Sequence, residues 1–283
     1  MRIGGNLTAM VTPFDERGAL AEDGAATLMR HLVAHGSDGL VLAGTTGEAS
    51  TLDDDEKLLL WEIGVAECGE TATIVAGTGS NDTAHTVRLT ERATEIGVDA
   101  VLVVTPYYNK PNRRGLLAHF RAAAAATELP VVIYNIPSRS VIDLPNDLLH
   151  ELAEIPNVTA VKQARKEDVE PIEGLDLLAG NDDMLAPILD MGGTGGILVA
   201  SHLVGEEMGR MIGEPDRRHE ITSEIEKVVS ALNAPPPTAS VKAALNLLGH
   251  PVGTPRLPLV PASDEEIEAI RGALERHGLL SAV

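Results

Sequence analysis

A lysine at the end of an apolar stretch is the residue of this chain best suited to covalent chemistry. Lys162 is one of six lysines and closes the apolar residues 158–162. If that stretch is a strand, its side chains alternate, so Ala160 and Lys162 share one face. On a buried face, lost hydration would lower the pKa of the ammonium group and leave a neutral amine able to form a Schiff base with a carbonyl. The alternative is that Lys162 reaches solvent or pairs with a carboxylate.

Other polar side chains follow further apolar stretches and could bind or protonate a small acid. Tyr108 and Tyr134 carry phenols that could move protons once neighbours shift their pKa. Thr45 and Thr46, between two glycines, offer hydroxyl and backbone N–H groups to a carboxylate. Arg139 offers a planar fork to a second carboxylate. Each also has an ordinary structural interpretation, as a packed tyrosine, a tight turn or a surface ion pair.

Eight short apolar stretches recur at the spacing of strand-and-helix units and would position these side chains. They are residues 7–11, 39–42, 73–76, 100–104, 131–134, 158–162, 175–179 and 196–200. Nearly continuous hydrophobicity is typical of strands covered on both faces, as in parallel sheets with crossover helices. The pattern predicts an α/β fold, a (β/α)8 TIM barrel with a C-terminal helical appendage. A doubly wound sheet is the alternative, but no G-x-G-x-x-G motif follows the first stretch.

Helix start signals lie between and after these stretches. Asp53, Asn81, Asn112 and the Leu-Pro pair at 144–145 each precede a helical pattern. After residue 200 the strand signal stops, and the last helix opens with the capping-box pattern that begins at Ser263. We therefore predict a catalytic barrel over residues 1–215 and a C-terminal helical region over residues 216–283.

The composition excludes several classes of partner. The chain has 283 residues, with 22 Lys and Arg against 42 Asp and Glu, and a formal net charge of −20. So acidic a surface disfavours nucleic acid and anionic lipid, and no apolar window is long enough to span a membrane. The single Cys68 excludes an internal disulfide, and no Cys and His spacing indicates a zinc site. We expect a cytoplasmic protein without a metal.

The candidate residues converge on one end of the predicted barrel. The threonine pair follows the second stretch, and two of the three tyrosines follow the fourth. The third tyrosine and the arginine follow the fifth stretch, and the lysine closes the sixth. Active sites of such barrels lie where the strands end at their carboxyl side. Packing alone does not account for every tyrosine of the chain falling at that end.

Several motifs together resemble one family. GNLTAMVTPF, GTTGEAS, AGTGSN, TPYYNKP, YNIPSRS, SVKAALNLLG and RLPLVP span nearly the whole chain. They are similar to the dihydrodipicolinate synthase and N-acetylneuraminate lyase superfamily of pyruvate-dependent class I aldolases. TPYYNKP and YNIPSRS favour the dihydrodipicolinate synthase branch, because the sugar-acid aldolases usually lack the arginine of the SR pair.

The resemblance implies a reaction. Lys162 would condense with pyruvate, whose carboxylate would bind Thr45 and Thr46, and loss of a methyl proton would give an enamine. The enamine would attack aspartate 4-semialdehyde, held at its carboxylate by Arg139, to give 4-hydroxy-tetrahydrodipicolinate, the first committed step of the diaminopimelate and lysine pathway. Tyr134 would act as acid and base during imine formation.

The resemblance also implies partners for these groups. Thr45, Tyr134 and Tyr108 match a hydroxyl relay in which Tyr108 reaches the active site of a neighbouring subunit, and the expected assembly is a homotetramer. The backbone of Ile197 would line the pyruvate pocket. No metal and no organic cofactor is implied.

Two departures from the family pattern affect these expectations. After Lys162, residues 163–166 read Gln-Ala-Arg-Lys where the family usually has an acidic or amide residue and a small Ala-Thr/Ser-Gly run. We hypothesise that Arg165 and Lys166 lower the pKa of Lys162 by like-charge repulsion.

The second departure concerns the lysine effector site of the family. The residues at its positions are Ala49, Lys57, Asn81, His85 and Tyr107. Because histidine replaces a glutamate and lysine replaces a histidine, we predict weak or absent inhibition by lysine.

Two other functions remain open from the sequence. One is a pyruvate-dependent aldolase for a 2-keto-3-deoxy sugar acid, and the other is a pyruvate-binding protein without catalytic activity. Arg139 favours a small carboxylated aldehyde over a sugar, and the presence of Lys162, Tyr134, Thr45 and Tyr108 together argues against mere binding.

Overall fold

Eight parallel strands form a closed barrel in chain order. The computed structural model describes residues 3–233 and 236–281. Each strand pairs with the next, and the eighth pairs with the first. The strands are β1 Gly5–Ala9, β2 Gly39–Leu42, β3 Thr73–Gly77, β4 Ala100–Val104, β5 Val131–Asn135, β6 Val158–Gln163, β7 Asp176–Ala179 and β8 Gly195–Leu198. The predicted TIM barrel is confirmed.

Helices surround the barrel and continue beyond it. Those up to residue 213 are α1 Glu22–Ala34, α2 Asp54–Cys68, α3 Thr83–Ile96, α4 Arg113–Ala125, α5 Pro137–Ser140, α6 Asn146–Ala153, α7 Leu185–Asp190 and α8 Gly205–Gly213. The C-terminal ones are α9 Arg218–Leu232, α10 Pro237–Leu247 and α11 Asp264–His277. They pack on one another, as expected for a helical appendage, but α9 also packs on α7 and α8. The division of the chain at residue 215 therefore stays a proposal. No helix of the described residues is both long and apolar enough to cross a bilayer.

The predicted helix starts hold with one exception. Asp53 and Ser263 each form a capping box, and Asn112 accepts the Gly115 N–H. Helix α3 is capped by Asp82, whose carboxylate accepts the Ala84 N–H at 2.9 Å, and not by Asn81. The two residues are adjacent and both are good caps, so sequence preference could not separate them.

The first and last strands differ from their predicted bounds for reasons of pairing. Strand β1 begins at Gly5, which was predicted to precede the strand, because it pairs with Gly195 of β8. A Cβ on Gly195, where φ is +148°, would lie 2.1 Å from the Gly5 carbonyl oxygen, so glycine permits the closure. Strand β8 ends at Leu198 because the next two backbone N–H groups donate to a side chain, Asp182.

Two buried histidines make the fold sensitive to acid. His202, after β8, accepts the Val11 N–H at 3.0 Å through Nε2, and its Nδ1 lies 2.7 Å from the Val199 carbonyl. Burial lowers the pKa of His202 to about 4, and burial also lowers the pKa of His119 to about 4. Both rings are therefore neutral in the folded chain at neutral pH.

We expect the free energy of unfolding to fall as the pH drops from 6.5, the ordinary pKa, towards about 4. Between these pH values the histidines bind protons in the unfolded chain but not in the folded one. Their contribution to the free energy of unfolding is therefore complete above pH 6.5 and is lost on acidification. At pH 5 each of the two histidines should lower the free energy of unfolding by about 2 kcal/mol relative to neutral pH.

Urea denaturation at pH 7 and pH 5 measures this loss. The variant His202→Gln should lose about 2 kcal/mol less over that interval than the unaltered chain. The matched control is His219→Gln, because His219 is exposed, and it should lose as much as the unaltered chain. Equal losses in all three proteins would contradict the assignment.

Candidate active site

The inward orientation of Lys162, which the sequence left open, is present in the structure. Lys162 lies on β6 between Tyr134 of β5 and Leu178 of β7. Ala160 belongs to the cluster inside the barrel, and Val161 belongs to the outer cluster beneath the helices. Only 5% of Lys162 is exposed. The amine is therefore enclosed at the end of the barrel where the strands finish.

Burial makes the Lys162 amine a competent nucleophile. Burial lowers its pKa to about 7, the negative charge of Asp182 opposes this shift, and the positive charge of Arg139 adds to it. A large fraction of the amine is thus neutral at physiological pH, as Schiff-base formation requires. Its Nζ lies 4.1 Å from the centroid of the Tyr134 ring.

The proposed contribution of Arg165 and Lys166 to this pKa is wrong. Arg165 bonds to Asp143 at 2.9 Å and Lys166 forms an ion pair with Asp183, so each positive charge is paired with a carboxylate. Arg139 is the like charge that acts on Lys162. The side chain of Arg165 instead donates to Asn146 at the start of α6 and to the Asp168 carbonyl in the loop after β6.

Tyr134 is a protonated phenol beside the lysine. It is buried at the end of β5, and burial raises its pKa to about 12, against the opposing effects of Arg139 and of a hydrogen bond with Thr45. At neutral pH the phenol therefore keeps its proton. Tyr134 can donate this proton, and Thr45 connects it to the loop after β2.

That loop, residues 43–48, presents the threonine pair. Thr45 is exposed and Thr46 is buried. The Glu48 N–H donates to the Thr45 carbonyl at 3.1 Å. Positive φ angles of 54° at Ala43 and 60° at Glu48 bound the loop. The turn is therefore held in a specific conformation, with Thr45 bordering the cavity beside Tyr134.

Arg139 borders the same cavity as Thr45 and Tyr134. The cavity has a volume of about 500 Å³. Arg139 is exposed on the short helix α5, whose neighbouring Ser140 hydroxyl donates to the Ile136 carbonyl at 2.9 Å. In the described part of the chain no carboxylate lies within ion-pair distance of Arg139. Its guanidinium is available to an anionic ligand.

Within one chain Ile197 lies inside the barrel with Tyr134, whereas Tyr108 lies outside the cavity. Ile197 of β8 is fully buried in the cluster inside the barrel with Tyr134. Tyr108 is 85% exposed and has a φ of +74°. It does not border the cavity, whereas its neighbour Tyr107 does. One chain alone thus leaves Tyr108 away from Lys162.

Asp182 is a site residue that the sequence analysis missed. It is buried just after β7 and accepts the Val199 N–H at 2.8 Å and the Ala200 N–H at 3.1 Å. Asn233 also donates to it, at 2.8 Å. Burial raises the pKa of Asp182 despite these bonds. An acidic residue directly after the seventh strand is the signal that could have found it.

Four of the five residues that match the effector site border the same cavity. Ala49, Lys57, His85 and Tyr107 border it, and the backbone carbonyl of Asn81 accepts a bond from Asn109 at 2.7 Å.

Within the chain, His85 and Lys57 already share one carboxylate. The His85 Nε2 lies 2.9 Å from Asp54, and the Lys57 Nζ lies 3.6 Å from it. Burial would raise the pKa of Asp54, but the His85 hydrogen bond and the nearby charges hold it below its ordinary value. The acceptor for an added ammonium group is thus occupied. No group of three or more His, Cys, Asp or Glu side chains in residues 3–233 and 236–281 is arranged to hold a metal ion.

Similarity to known proteins extends over the whole barrel and the helical region. Residues 2–277 match the Dihydrodipicolinate synthetase family. The 4-hydroxy-tetrahydrodipicolinate synthase of Bacillus subtilis (strain 168) is 43% identical over 280 residues, which cover 94% of this chain and 96% of that protein.

Solved structures agree. The dihydrodipicolinate synthase of Cyanidioschyzon merolae with lysine bound superposes with a TM-score of 0.93 at 37% identity, covering 98% of this chain and 99% of that one. The chloride-inhibited dihydrodipicolinate synthase from Acinetobacter baumannii complexed with pyruvate has a TM-score of 0.94 at 32% identity, covering 98% and 100%. The chain therefore belongs to the dihydrodipicolinate synthetase family and is an enzyme, a lyase.

Proposed function

We propose that this enzyme condenses pyruvate with L-aspartate 4-semialdehyde to give 4-hydroxy-tetrahydrodipicolinate. The observation that carries the proposal is the buried Lys162, with its pKa lowered to about 7, beside the protonated phenol of Tyr134. Relatives named for this product support the choice of reaction. The step would be the first committed one of the diaminopimelate and lysine pathway, in the cytoplasm.

The first half of the reaction joins pyruvate to the lysine. The neutral amine of Lys162 attacks the keto carbon, Tyr134 protonates the departing oxygen, and water leaves as the imine forms. The hydroxyls and N–H groups at Thr45 and Thr46 bind the carboxylate. Loss of a methyl proton then gives an enamine, with the iminium nitrogen accepting the electron pair. No metal or organic cofactor enters this scheme.

The second half forms the ring. The enamine carbon attacks the aldehyde, whose oxygen takes up a proton, while Arg139 binds the carboxylate of this substrate. The amino group of the second substrate then attacks the imine carbon and displaces Lys162. The lysine is regenerated, and one water is released over the whole reaction. The backbone of Ile197 would line the pyruvate pocket.

A second copy of the chain would complete the relay. Tyr108 is exposed on its own chain, which supports a role in a neighbour's site. Thr45 and Tyr134 of one subunit with Tyr108 of another would then pass protons to and from solvent. We propose a homotetramer, a dimer of dimers, as the working assembly.

A comparison of aldehydes tests the proposed reaction. A coupled assay should give turnover with pyruvate and aspartate 4-semialdehyde and none with 2-keto-3-deoxygluconate in the cleavage direction. Turnover of the sugar acid alone would favour the aldolase alternative. Binding of pyruvate without any turnover or covalent adduct would favour a non-catalytic binding protein.

The Arg139→Ala variant should raise the KM for the aldehyde by roughly 10- to 100-fold, because a charged hydrogen bond to its carboxylate is lost. The KM for pyruvate should change little. Steady-state kinetics with each substrate varied in turn measures both constants. The matched control is Arg113→Ala, a half-buried arginine paired with Asp147 and Glu151 outside the cavity. A raised pyruvate KM with an unchanged aldehyde KM would reverse the assignment of the two carboxylates.

Inhibition by lysine should be weak or absent. An added lysine ammonium would meet His85 and Lys57, with Asp54 already bound to both. Initial rates with millimolar L-lysine should therefore match those without it. Half-inhibition below millimolar lysine would show this prediction to be wrong. The variant His85→Glu supplies a free carboxylate, so any gain of lysine sensitivity should appear there first.

A further inference from the structure

A buried ion pair connects the C-terminal helix α10 to the threonine loop. The Lys242 Nζ lies 2.7 Å from Glu48 Oε1, and each side chain is only 1% exposed. Lys242 also donates to the Thr254 carbonyl at 3.2 Å, and the other Glu48 oxygen accepts the Arg256 N–H at 2.8 Å. Both charged groups are thus paired within the protein.

This pair is costly for the fold to keep. Two charges removed from water lose hydration that their mutual attraction often fails to repay, so such a pair is weak evidence for added stability. Burial lowers the pKa of Lys242 against the opposing effect of Glu48. Glu48 also has a φ of +60°, a conformation that costs a non-glycine residue energy. The two costs fall on the same residue, which indicates that its geometry matters.

The pair acts on the backbone that carries Thr45 and Thr46. Thr238, one turn before Lys242 on the same face of α10, donates to the Thr46 carbonyl at 3.3 Å. The Thr12 hydroxyl donates to the Gly47 carbonyl at 2.6 Å. The loop after β2 is therefore held from outside, and two of its anchors come from one helix face far along the sequence.

We propose that Lys242 and Glu48 are positioning residues for the carboxylate-binding loop, which they hold in the conformation that receives pyruvate. The inference rests on the proposed function, since it takes Thr45 and Thr46 as the pyruvate carboxylate site. Neither Lys242 nor Glu48 borders the cavity, so both act through the loop. The C-terminal helical region thereby contributes to substrate affinity without contacting substrate.

The variant Lys242→Met keeps the length of the side chain and removes its charge. If the loop occupies its binding conformation less often, the apparent pyruvate affinity falls by the same fraction. We expect the pyruvate concentration for half-maximal borohydride trapping to rise about tenfold, with the trapped yield at saturation unchanged. The double variant Lys242→Met with Glu48→Gln removes the carboxylate left unpaired and should recover part of the loss.

Two further variants separate positioning from general stability. Arg218→Met, on α9, breaks a partly buried ion pair with Asp190 of α7 and should leave the half-saturation value unchanged. Thr238→Val removes the single hydrogen bond to the Thr46 carbonyl while nearly keeping the shape of the side chain. It should raise the half-saturating pyruvate concentration by roughly two- to threefold. It decides the matter if Lys242→Met does not fold.

Unchanged half-saturation in the folded Lys242→Met and Thr238→Val proteins would overturn the inference. So would a half-saturation value raised as much in Arg218→Met as in Lys242→Met, because the effect would then come from a general loss of stability. Absence of any adduct in the unaltered enzyme would instead refute the proposed function, so the two failures are distinguishable.

Discussion

Replacing Lys162 by alanine should lower kcat by roughly a thousandfold or more, because the reaction loses the nucleophile that holds pyruvate. Steady-state turnover of pyruvate and aspartate 4-semialdehyde measures the effect. Lys166→Ala is the matched control, since this exposed lysine lies four residues away and pairs with Asp183. It should retain nearly full activity.

The pH dependence of the unaltered enzyme should report the same amine. Burial lowers the pKa of Lys162 to about 7, so the neutral fraction increases as the pH rises through that value. Below it the rate of imine formation should fall roughly tenfold per pH unit. An imine-forming rate that is flat between pH 5 and pH 8, or substantial turnover in Lys162→Ala, would contradict a catalytic role for this amine.

Replacing Tyr134 by phenylalanine should lower kcat by about 10²- to 10⁴-fold, the usual effect of losing a positioned proton donor. Burial raises the pKa of its phenol to about 12, so Tyr134 carries a proton at every working pH. The ring itself remains in the variant, and with it the packing against the Lys162 amine.

Pre-steady-state trapping would assign this loss to a chemical step. In Tyr134→Phe the adduct on Lys162 should still form, but more slowly, since the amine remains. Tyr107→Phe is the matched control: this tyrosine also borders the cavity, and its replacement should change kcat little. Equal rates of adduct formation in Tyr134→Phe and the unaltered enzyme would contradict its role in imine formation.

Local pattern was sufficient to predict the architecture, and it marked Lys162 as a candidate nucleophile whose orientation it left open. Strands β2 and β4 match their predicted bounds: a polar residue precedes each, Asp38 and Asp99, and Thr105 follows β4. Alternation along one strand placed Lys162 and Ala160 on a common face, and closure of the barrel turned that face inward.

What the sequence could not give depends on contacts between distant segments. The start of β1 follows from pairing with β8, the last strand along the chain. The effect of Asp182 on Lys162 arises only when the ends of β6 and β7 meet. The neutralisation of Arg165 and Lys166 by carboxylates has the same origin. Glu48 and Lys242 are separated by most of the chain, so no periodic pattern in the sequence predicts their ion pair.

The acidic composition proved to be a property of the surface and not of the site. With a net charge of −20 over the full sequence, the described residues still place no carboxylate within ion-pair distance of Arg139 beside the cavity. The two anionic substrates proposed above would need such a local excess of positive charge. The net charge of the sequence does not distinguish the surface from the site, whereas the positions of Arg139 and Lys162 at adjacent strand ends do.

Borohydride trapping with pyruvate tests most directly whether Lys162 forms the Schiff base. Reduction should fix pyruvate, less one oxygen atom, on a single lysine. Tryptic digestion should then yield one modified peptide spanning residues 140–165, uncut after Lys162, because an alkylated lysine resists cleavage. Mass spectrometry that finds this peptide, and none in Lys162→Ala, would agree with the proposed chemistry. An adduct on another lysine, or no adduct at saturating pyruvate, would contradict it.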